Sequence, residues 1–287
     1  MKPCCCCCSK NINNPENKEP SKLDSEIPET VEKIHEEVSK KYKTIIEQQS
    51  NCDCKVNKYA LSLGYTSDDI KDEKYETCNL SCGNPIGISN IKKGEIIMDL
   101  GCGSGFDCRL AAKKVGFEGK VFGIDMTKEM IDKAKEITNK EKYPQIEFIQ
   151  SKIEDIGSFN EFLNKFDLVI SNCVFNLSPQ KDKVLKGVFQ VLKKGGRLIF
   201  SDPVALKEIP EETRKILKSY TACMSNACLV DDLYNMLKNA GFENIKIEVK
   251  DNCDEYIKKW TPESHWENGV EPKEYIATAS IFAYKPM

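Results

Sequence analysis

A glycine-rich segment, DLGCGSG at residues 99–105, is the feature that most restricts how this chain can fold. The apolar run at 95–101 predicts a buried strand, and the residues after the glycines, up to position 116, predict a helix. Glycines at a strand-to-helix turn let the backbone approach a ligand closely. The segment therefore predicts an α/β fold with a ligand crevice at the carboxyl edge of its sheet.

Apolar runs and helical patterns continue to alternate along the chain. Six more strands are predicted, at 120–126, 145–151, 166–172, 197–202, 244–250 and 275–285. One of the last two is predicted to be antiparallel. Helices are predicted at 181–194, ended by the glycine pair 195–196, and at about 210–226 and 231–240. Strands that alternate with helices are typical of a mostly parallel sheet with helices on both faces.

Composition and charge argue against several classes of protein. The chain of 287 residues has 42 basic and 45 acidic residues, and its net charge of −3 offers no electrostatic basis for binding nucleic acid or an anionic membrane. No apolar run has the length of a membrane span, and polar residues follow the cysteines at 4–8, where a signal peptide would need an apolar stretch. We therefore expect a cytoplasmic protein without nucleic-acid or membrane partners.

The cysteine content is unusual. Fifteen cysteines are many for a chain of this length, and five of them, Cys4–Cys8, are consecutive. The chain is too long to need a disulfide scaffold. In a reducing compartment, a surplus of thiols indicates metal, metalloid or redox chemistry.

The carboxyl ends of the first two predicted strands carry candidate cofactor-binding residues. The first turn offers Asp99, Gly101, Gly103 and Gly105, in the spacing G-x-G-x-G rather than the G-x-G-x-x-G of dinucleotide-binding proteins. Asp125 ends the second strand, where a carboxylate can accept hydrogen bonds from both hydroxyls of a ribose. A structural glycine turn with a solvated aspartate is the alternative interpretation.

These two segments resemble the first two motifs of class I S-adenosylmethionine-dependent methyltransferases, which have a Rossmann-like fold. The resemblance implies that S-adenosylmethionine binds at the glycine turn and that Asp125 holds its ribose. It also implies adenine contacts for Met126 and for Ile153 and Glu154, which follow the third strand. Core packing is the alternative for Met126 and Ile153.

A cysteine, Cys173, follows the fourth predicted strand in the segment SNCVFNLSP, at the edge where ligands of such sheets bind. Cys82 in LSCGNP and Cys223 in YTACMSNAC come from two distant segments, and the three thiols could converge on one crevice. Thiolates favour soft, thiophilic centres. Trivalent arsenic bound by three sulfur atoms keeps a lone pair, which is the nucleophile that methyl transfer requires. For each thiol, core packing is the alternative.

Taken together, the cysteine segments and the glycine turn resemble the arsenite methyltransferase family. The resemblance implies that Cys82, Cys173 and Cys223 bind arsenic(III). It implies a further catalytic thiol upstream, Cys54 with Cys52 as its rival, that pairs with Cys82 during the redox part of the cycle. It also implies arsenite or its thiol adducts as substrate, and thioredoxin or glutathione as the thiol reductant and co-substrate.

Four regions follow from this interpretation, with the resemblance covering about residues 30–245. Residues 1–27 are predicted to form a flexible, cysteine-rich tail, and residues 28–92 an N-terminal helix with substrate-binding loops. Residues 93–206 are predicted to form the Rossmann-like core that binds S-adenosylmethionine. Residues 207–287 are predicted to contain the arsenic-binding segment and the last strands.

The remaining assignments concern single residues. Cys102, Cys108 and Cys253 are predicted to pack in the core, and Cys228 is either a spare ligand or without a role. His35, on the N-terminal helix, is interpreted as a surface residue. Because ligand exchange needs thiolate character, positive charge or a helix N-terminus is expected to lower the pKa of at least one arsenic-binding thiol.

Two other functions stay open from the sequence. One is a class I methyltransferase of a small organic acceptor, such as a quinone or a sterol carbon, in which the cysteines only pack. The other is a zinc- or metalloid-binding protein without catalysis, in which Cys82, Cys173 and Cys223 form a three-cysteine site. The glycine turn and Asp125 argue against the second function.

Overall fold

A computed structural model of the chain describes residues 25–49, 58–70, 80–141, 143–250, 254–261, 264, 266 and 269–287. Several cysteines with predicted roles lie outside these ranges: Cys4–Cys8 of the predicted tail, Cys54 and Cys52 as the upstream redox thiol, and Cys253 as a packing residue. The predictions for these residues therefore stay predictions.

Seven strands form one sheet. In chain order they are β1 Ile96–Leu100, β2 Lys120–Asp125, β3 Ile146–Gln150, β4 Phe166–Asn172, β5 Leu192–Ala205, β6 Glu243–Val249 and β7 Ile276–Tyr284. Their order across the sheet is β3-β2-β1-β4-β5-β7-β6. The first five strands pair in parallel, and β7 runs antiparallel between β5 and β6. The predicted Rossmann-like, mostly parallel sheet is confirmed.

Helices connect the strands and cover the sheet. Among the residues described they are α1 Val31–Gln49, α2 Lys58–Ser62, α3 Ser67–Ile70, α4 Pro85–Ile88, α5 Phe106–Val115, α6 Lys128–Glu141, α7 Lys181–Val191, α8 Glu211–Lys215, α9 Leu217–Thr221, α10 Val230–Asn239 and α11 Asp254–Trp260. No helix in this part of the chain has the length and apolar character that would cross a membrane.

The central strands are buried on both faces. Along β1, Ile97 packs with α4, α5 and α6 on one face of the sheet. Met98 and Leu100 pack on the opposite face with α7 and α10. This alternation is the period of two that strand geometry imposes. Because both faces are covered, these strands read as continuous apolar runs in the sequence.

The predicted helix over 181–194 is too long. The observed helix α7 ends at Val191, because Leu192 already pairs with Phe166 at the start of β4. The register then shifts, so that Leu168 pairs with Arg197. Gly195, with φ 72°, lies within this irregular stretch of β5 and does not end the helix.

The predicted helix over 210–226 is interrupted. Ile216 has an extended backbone (φ −84°, ψ 124°) between α8 and α9, and it forms an isolated antiparallel bridge with Glu26. Flanking backbone hydrogen bonds support the bridge, from Leu217 to Ser25 (2.9 Å) and from Ile27 to Lys215 (2.8 Å). A strand-like contact with the distant N-terminal segment thus overrides the local helical pattern.

A third apolar cluster lies apart from the two sheet faces. It joins Ile34 and Val38 of α1, Tyr220 of α9 and two aromatic residues of α11, Tyr256 and Trp260. Three cysteines belong to it: Cys82, Cys173 and Cys223. We call it the thiol cluster, and it brings the N- and C-terminal helices to the carboxyl end of β4.

Candidate active site

An open cleft lies at the carboxyl ends of β1, β2 and β4. The predicted cofactor residues that line it are Asp99, Gly101, Gly103, Asp125, Met126, Ile153 and Glu154. Helix α1 forms another wall through His35, Val38 and Tyr42. Gly105 is the exception among the predicted residues, because it precedes α5 as its N-cap and packs against Phe148.

The glycine turn has a backbone that only glycine adopts easily. Gly101, Gly103 and Gly105 have φ values of 68°, 53° and 81°. A Cβ atom on Gly101 would lie 2.3 Å from Cγ2 of Val174, whereas one on Gly103 would find no atom nearer than the sulfur of Met130 at 4.0 Å. Gly103 therefore presents bare backbone to open space, as close approach of a ligand requires.

Hydrogen bonds fix the carboxyl group of Asp125 against the glycine turn. The Gly103 amide donates to Oδ2 of Asp125 (3.0 Å), and the Thr127 amide donates to Oδ1 (2.8 Å). Burial raises the pKa of Asp125, and these two hydrogen bonds oppose that rise. Each carboxyl oxygen keeps a second lone pair. The carboxyl group is therefore fixed in orientation and able to accept ligand hydroxyls.

His35 is not a surface residue, and that interpretation of the sequence is wrong. Its side chain is buried, and Nε2 lies 2.9 Å from Oε1 of Glu154, which also accepts a hydrogen bond from Ser178. Burial raises the pKa of Glu154, but the hydrogen bonds from His35 and Ser178 outweigh it and lower the pKa. His35 shares the apolar face of α1 with Val38 and Tyr42 at helical spacing, which is the signal that could have identified it.

A buried polar network that sequence reasoning missed joins the cleft to the loop of Cys82. The Tyr65 hydroxyl donates to Oδ1 of Asp107 (2.8 Å), and the side-chain nitrogen Nδ2 of Asn172 donates to Oδ2 of Asp107 (3.0 Å). The side-chain oxygen of Asn172 accepts the backbone N–H of Cys82 (3.2 Å). Asn172 ends β4 and precedes Cys173. The network therefore ties the cofactor turn to two of the predicted arsenic ligands.

The ionisation of Asp107 is predicted to make stability depend on pH. Burial raises the pKa of Asp107 from 3.8 to about 6, against the lowering effects of Asn172 and Tyr65. The folded state therefore binds this proton more tightly than the unfolded chain. Protonation of Asp107 therefore contributes to the free energy of unfolding, fully below pH 3.8, and this contribution is lost as the pH rises to about 6. The shift corresponds to about 3 kcal/mol.

Urea unfolding of the wild type and of Asp107→Asn between pH 4 and 8 measures this effect. Relative to the variant, the wild type should lose stability from pH 4 to 6 and then stay constant. A difference between the two proteins that does not change with pH would contradict the assignment.

The three predicted arsenic ligands lie in one buried cluster. Cys82, Cys173 and Cys223 are 0%, 4% and 1% exposed. The thiol of Cys173 interacts with the thiols of both other cysteines, and Cys173 alone of the three lines the cleft. Segments before β1, after β4 and after α9 thus contribute one sulfur atom each.

The backbone at two of these cysteines is strained. Cys173 and Cys223 have φ values of 60° and 61°, a region that residues other than glycine seldom occupy. The turn after Cys173 is held by Asp202, whose Oδ2 accepts the amides of Val174 (2.9 Å) and Phe175 (3.0 Å). Such strain persists where the surrounding structure enforces it, and it is concentrated at functional sites.

The expected lowering of a thiol pKa is not found at two of the three cysteines. Burial raises the pKa values of both Cys82 and Cys223 well above 9. Their sulfur atoms hydrogen-bond to carbonyl oxygens, Cys82 to Ser201 (3.1 Å) and Cys223 to Cys173 (3.2 Å). These two residues are therefore neutral thiols in a site from which water is largely excluded.

Within the described ranges, no three His, Cys, Asp or Glu side chains are already placed around a common metal position. In the thiol cluster, Cys82 and Cys223 instead donate their S–H groups to backbone carbonyl oxygens.

The other described cysteines lie apart from the thiol cluster. Cys102, which is buried within the glycine turn, also lines the cleft, and Cys108 is buried in α5 and hydrogen-bonds to Asp99 (3.2 Å). Cys228 is half-buried and interacts with Lys181. Asp99 faces the cleft, but burial and the neighbouring Asp107 raise its pKa well above the usual range.

The sheet order, the antiparallel seventh strand and the glycine turn facing a cleft define a Rossmann-like methyltransferase. A model of the methyltransferase domain family matches residues 91–241, and the chain belongs to this family. The predicted resemblance to arsenite methyltransferases is likewise confirmed by the relatives of the chain.

The arsenite methyltransferase of Halobacterium salinarum is 40% identical over 225 residues, which cover 78% of this chain and 55% of that protein. The crystal structure of an arsenic(III) S-adenosylmethionine methyltransferase from Chlamydomonas reinhardtii matches with a TM-score of 0.57 and 28% identity. This match covers 82% of this chain and 75% of the algal one. A ubiquinone/menaquinone C-methyltransferase from Francisella tularensis is 30% identical, and the match covers 57% of this chain and 72% of that protein.

The matched region spans between 40% and 55% of the curated arsenite methyltransferases.

Proposed function

We propose that this protein transfers a methyl group from S-adenosylmethionine to trivalent arsenic held by Cys82, Cys173 and Cys223. One observation carries the proposal: three cysteines from distant segments meet in a buried cluster, and one of them opens into the cleft beside the glycine turn. Thiols in this number and chemistry suit a soft, three-coordinate centre. The similarity to arsenite methyltransferases supports the same conclusion.

The residues around the cleft fit S-adenosylmethionine. Gly101 and Gly103 would let the backbone approach it, and Asp125 would accept its ribose hydroxyls. Met126 and Ile153 are the apolar surfaces on which its adenine would pack, and Glu154 would contact the adenine edge. When bound, S-adenosylmethionine supplies an electrophilic methyl group. The bare backbone of Gly103 is the structural feature that favours this fit.

The expected need for a thiolate is met differently in this proposal: each thiol would lose its proton to the departing hydroxyl group during the exchange, so that no free thiolate has to form beforehand. Each exchange joins arsenic to a cysteine sulfur, and the thiol proton leaves with the displaced hydroxyl group as water. Arsenous acid, the thiols and the three-sulfur product are all uncharged. A buried site that disfavours charge therefore does not oppose this reaction, although it raises the pKa values of Cys82 and Cys223.

The protein's part in the transfer step is to position the substrate and exclude water. The arsenic lone pair is the nucleophile and carries no proton, so no general base is needed. The backbone strain at Cys173 and the Asp202 hydrogen bonds would fix its sulfur atom at the cleft wall. Holding two reactants in attack geometry can supply most of such a rate enhancement.

The redox part of the cycle would use a further thiol and a reductant. We propose Cys54, with Cys52 as the rival, as the partner of Cys82 in a disulfide, and thioredoxin or glutathione as the reductant. Methylation of arsenic in this way would serve detoxification in the cytoplasm.

C-methylation of a quinone is the second candidate function. The 30% identity to a ubiquinone/menaquinone C-methyltransferase, of which the match covers 72%, favours it. That reaction has no need of three clustered thiols, so the thiol cluster argues for arsenic instead.

Product speciation separates the two functions. We expect incubation with arsenite, S-adenosylmethionine and glutathione to yield methylated arsenicals in repeated turnovers, with one S-adenosylhomocysteine formed for each methyl group transferred. A demethylated menaquinone precursor in place of arsenite should yield no methylated product. Turnover with the quinone alone would support the second candidate, whereas arsenite binding without turnover would support a metalloid-binding protein.

A further inference from the structure

Buried polar atoms without hydrogen-bond partners lie around the thiol cluster. Within the part of the chain that the structure describes, they include the hydroxyl of Tyr256 and Oδ1 of Asp202. Both side chains are 1% exposed. A buried polar group that makes no hydrogen bond destabilises the folded protein. Such groups are rare in native structures, and each one calls for a specific reason.

Tyr256 is buried in the same cluster as the three cysteines. Tyr256 belongs to the thiol cluster, and its hydroxyl interacts electrostatically with the thiols of all three cysteines and with the Asp202 carboxyl group. Helix α11 holds it there, with the rings of Tyr256 and Trp260 6.4 Å apart. A phenol is a neutral hydrogen-bond donor at physiological pH. The thiol cluster therefore contains a hydrogen-bond donor that arsenic bound only to sulfur would not use.

We propose that Tyr256 recognises oxygen on the incoming arsenic, donating a hydrogen bond to the hydroxyl group that a cysteine displaces. The proposal rests on the function proposed above and adds the chemical class of the substrate: trivalent arsenic that arrives with oxygen ligands. Oδ1 of Asp202 is the second polar atom available to that hydroxyl or to the departing water.

The exchange balances without an oxidant or reductant. An arsenic–oxygen bond and a sulfur–hydrogen bond break, an arsenic–sulfur bond and an oxygen–hydrogen bond form, and water leaves. Arsenic stays trivalent throughout. Negative charge grows on the oxygen as it departs, and a preorganised donor in a water-poor site stabilises that charge most effectively.

A second tyrosine provides a matched control. Tyr220 is in the same cluster, but its hydroxyl donates to the carbonyl of Leu177 (3.0 Å) and accepts from Asn226 (3.3 Å). Tyr220→Phe should lower the thermal midpoint, because two groups lose a partner. Tyr256→Phe should leave the midpoint unchanged or raise it, because an unpartnered hydroxyl is removed.

The decisive experiment compares two arsenic donors in rapid mixing. Capture of arsenous acid and of the tris-glutathione adduct of arsenic(III) is followed by quenching of tryptophan fluorescence, for which Trp260 lies beside the site. For Tyr256→Phe we expect capture from arsenous acid to slow about tenfold, and capture from the adduct, whose arsenic carries three sulfur ligands and no oxygen ligand, to match the wild type. Tyr220→Phe should not change the ratio of the two rates.

Each other outcome has a defined meaning. An equal loss with both donors, or no loss with arsenous acid, would overturn the role of Tyr256 and leave the proposed function standing. A wild-type protein that captures arsenic from neither donor would overturn the proposed function and this inference together.

Discussion

Replacing Cys173 by serine should reduce methylarsenic formation by roughly 100-fold or more, because loss of one sulfur misplaces the arsenic relative to the methyl donor. Cys173 interacts with both other thiols and is the one that lines the cleft, so its loss affects both capture and positioning. Serine has nearly the same shape, and binding of S-adenosylmethionine should therefore be unchanged. Product speciation and calorimetric titration with S-adenosylmethionine measure the two quantities.

Cys228→Ser is the matched control for this substitution. Cys228 is half-buried beside Lys181 and lies outside the thiol cluster, so its replacement should leave turnover within about twofold of the wild type. Full activity of Cys173→Ser would remove the proposed mechanism. Loss of activity in both variants would assign Cys228 the role of a further ligand.

Replacing Gly101 by alanine should abolish S-adenosylmethionine binding and destabilise the protein by about 3 kcal/mol. The new Cβ atom would lie 2.3 Å from the branched side chain of Val174, at a backbone φ of 68°. Val174 follows Cys173 directly, so relief of the clash would move the cysteine as well. Calorimetry with S-adenosylmethionine and urea unfolding test the two effects.

Gly116→Ala separates backbone strain from the clash. Gly116 has a similar φ of 72°, but a Cβ atom there would meet nothing within 4 Å. At Gly116 ψ is −169°, in a region that essentially only glycine occupies, so the control variant should lose about 1–3 kcal/mol through backbone strain alone and keep its cofactor affinity. Equal cofactor affinity of Gly101→Ala and Gly116→Ala would show that the glycine turn does not bind the cofactor.

Local patterns were sufficient to predict the sheet. The predicted strands at 95–101, 120–126, 145–151 and 166–172 agree with β1 to β4 to within one residue at each end. Both faces of these strands are covered, so their sequences are continuous apolar runs bounded by turns, a strong signal. The fifth strand was predicted too short at both ends: its first residues pair irregularly across a register shift, and its last three, 203–205, pair with β7.

Helix ends and buried polar residues were less accessible to such patterns. The break at Ile216 depends on a bridge to Glu26, about 190 residues earlier in the chain. The burial of His35 depends on Glu154, which belongs to a different element. A pattern within one helix contains no information about a partner that only the folded chain supplies.

By itself, the sequence determined the alternation of strands and helices and the glycine turn, because these follow from residue type and short-range spacing. Only the tertiary structure decided that burial raises the pKa values of Cys82, Cys223 and Asp107, and that the Tyr256 hydroxyl has no hydrogen-bond partner among the residues that the structure describes. The physical reason is that desolvation and hydrogen bonding are sums over all neighbours of a group. Most of those neighbours are distant in sequence, and folding alone brings them together.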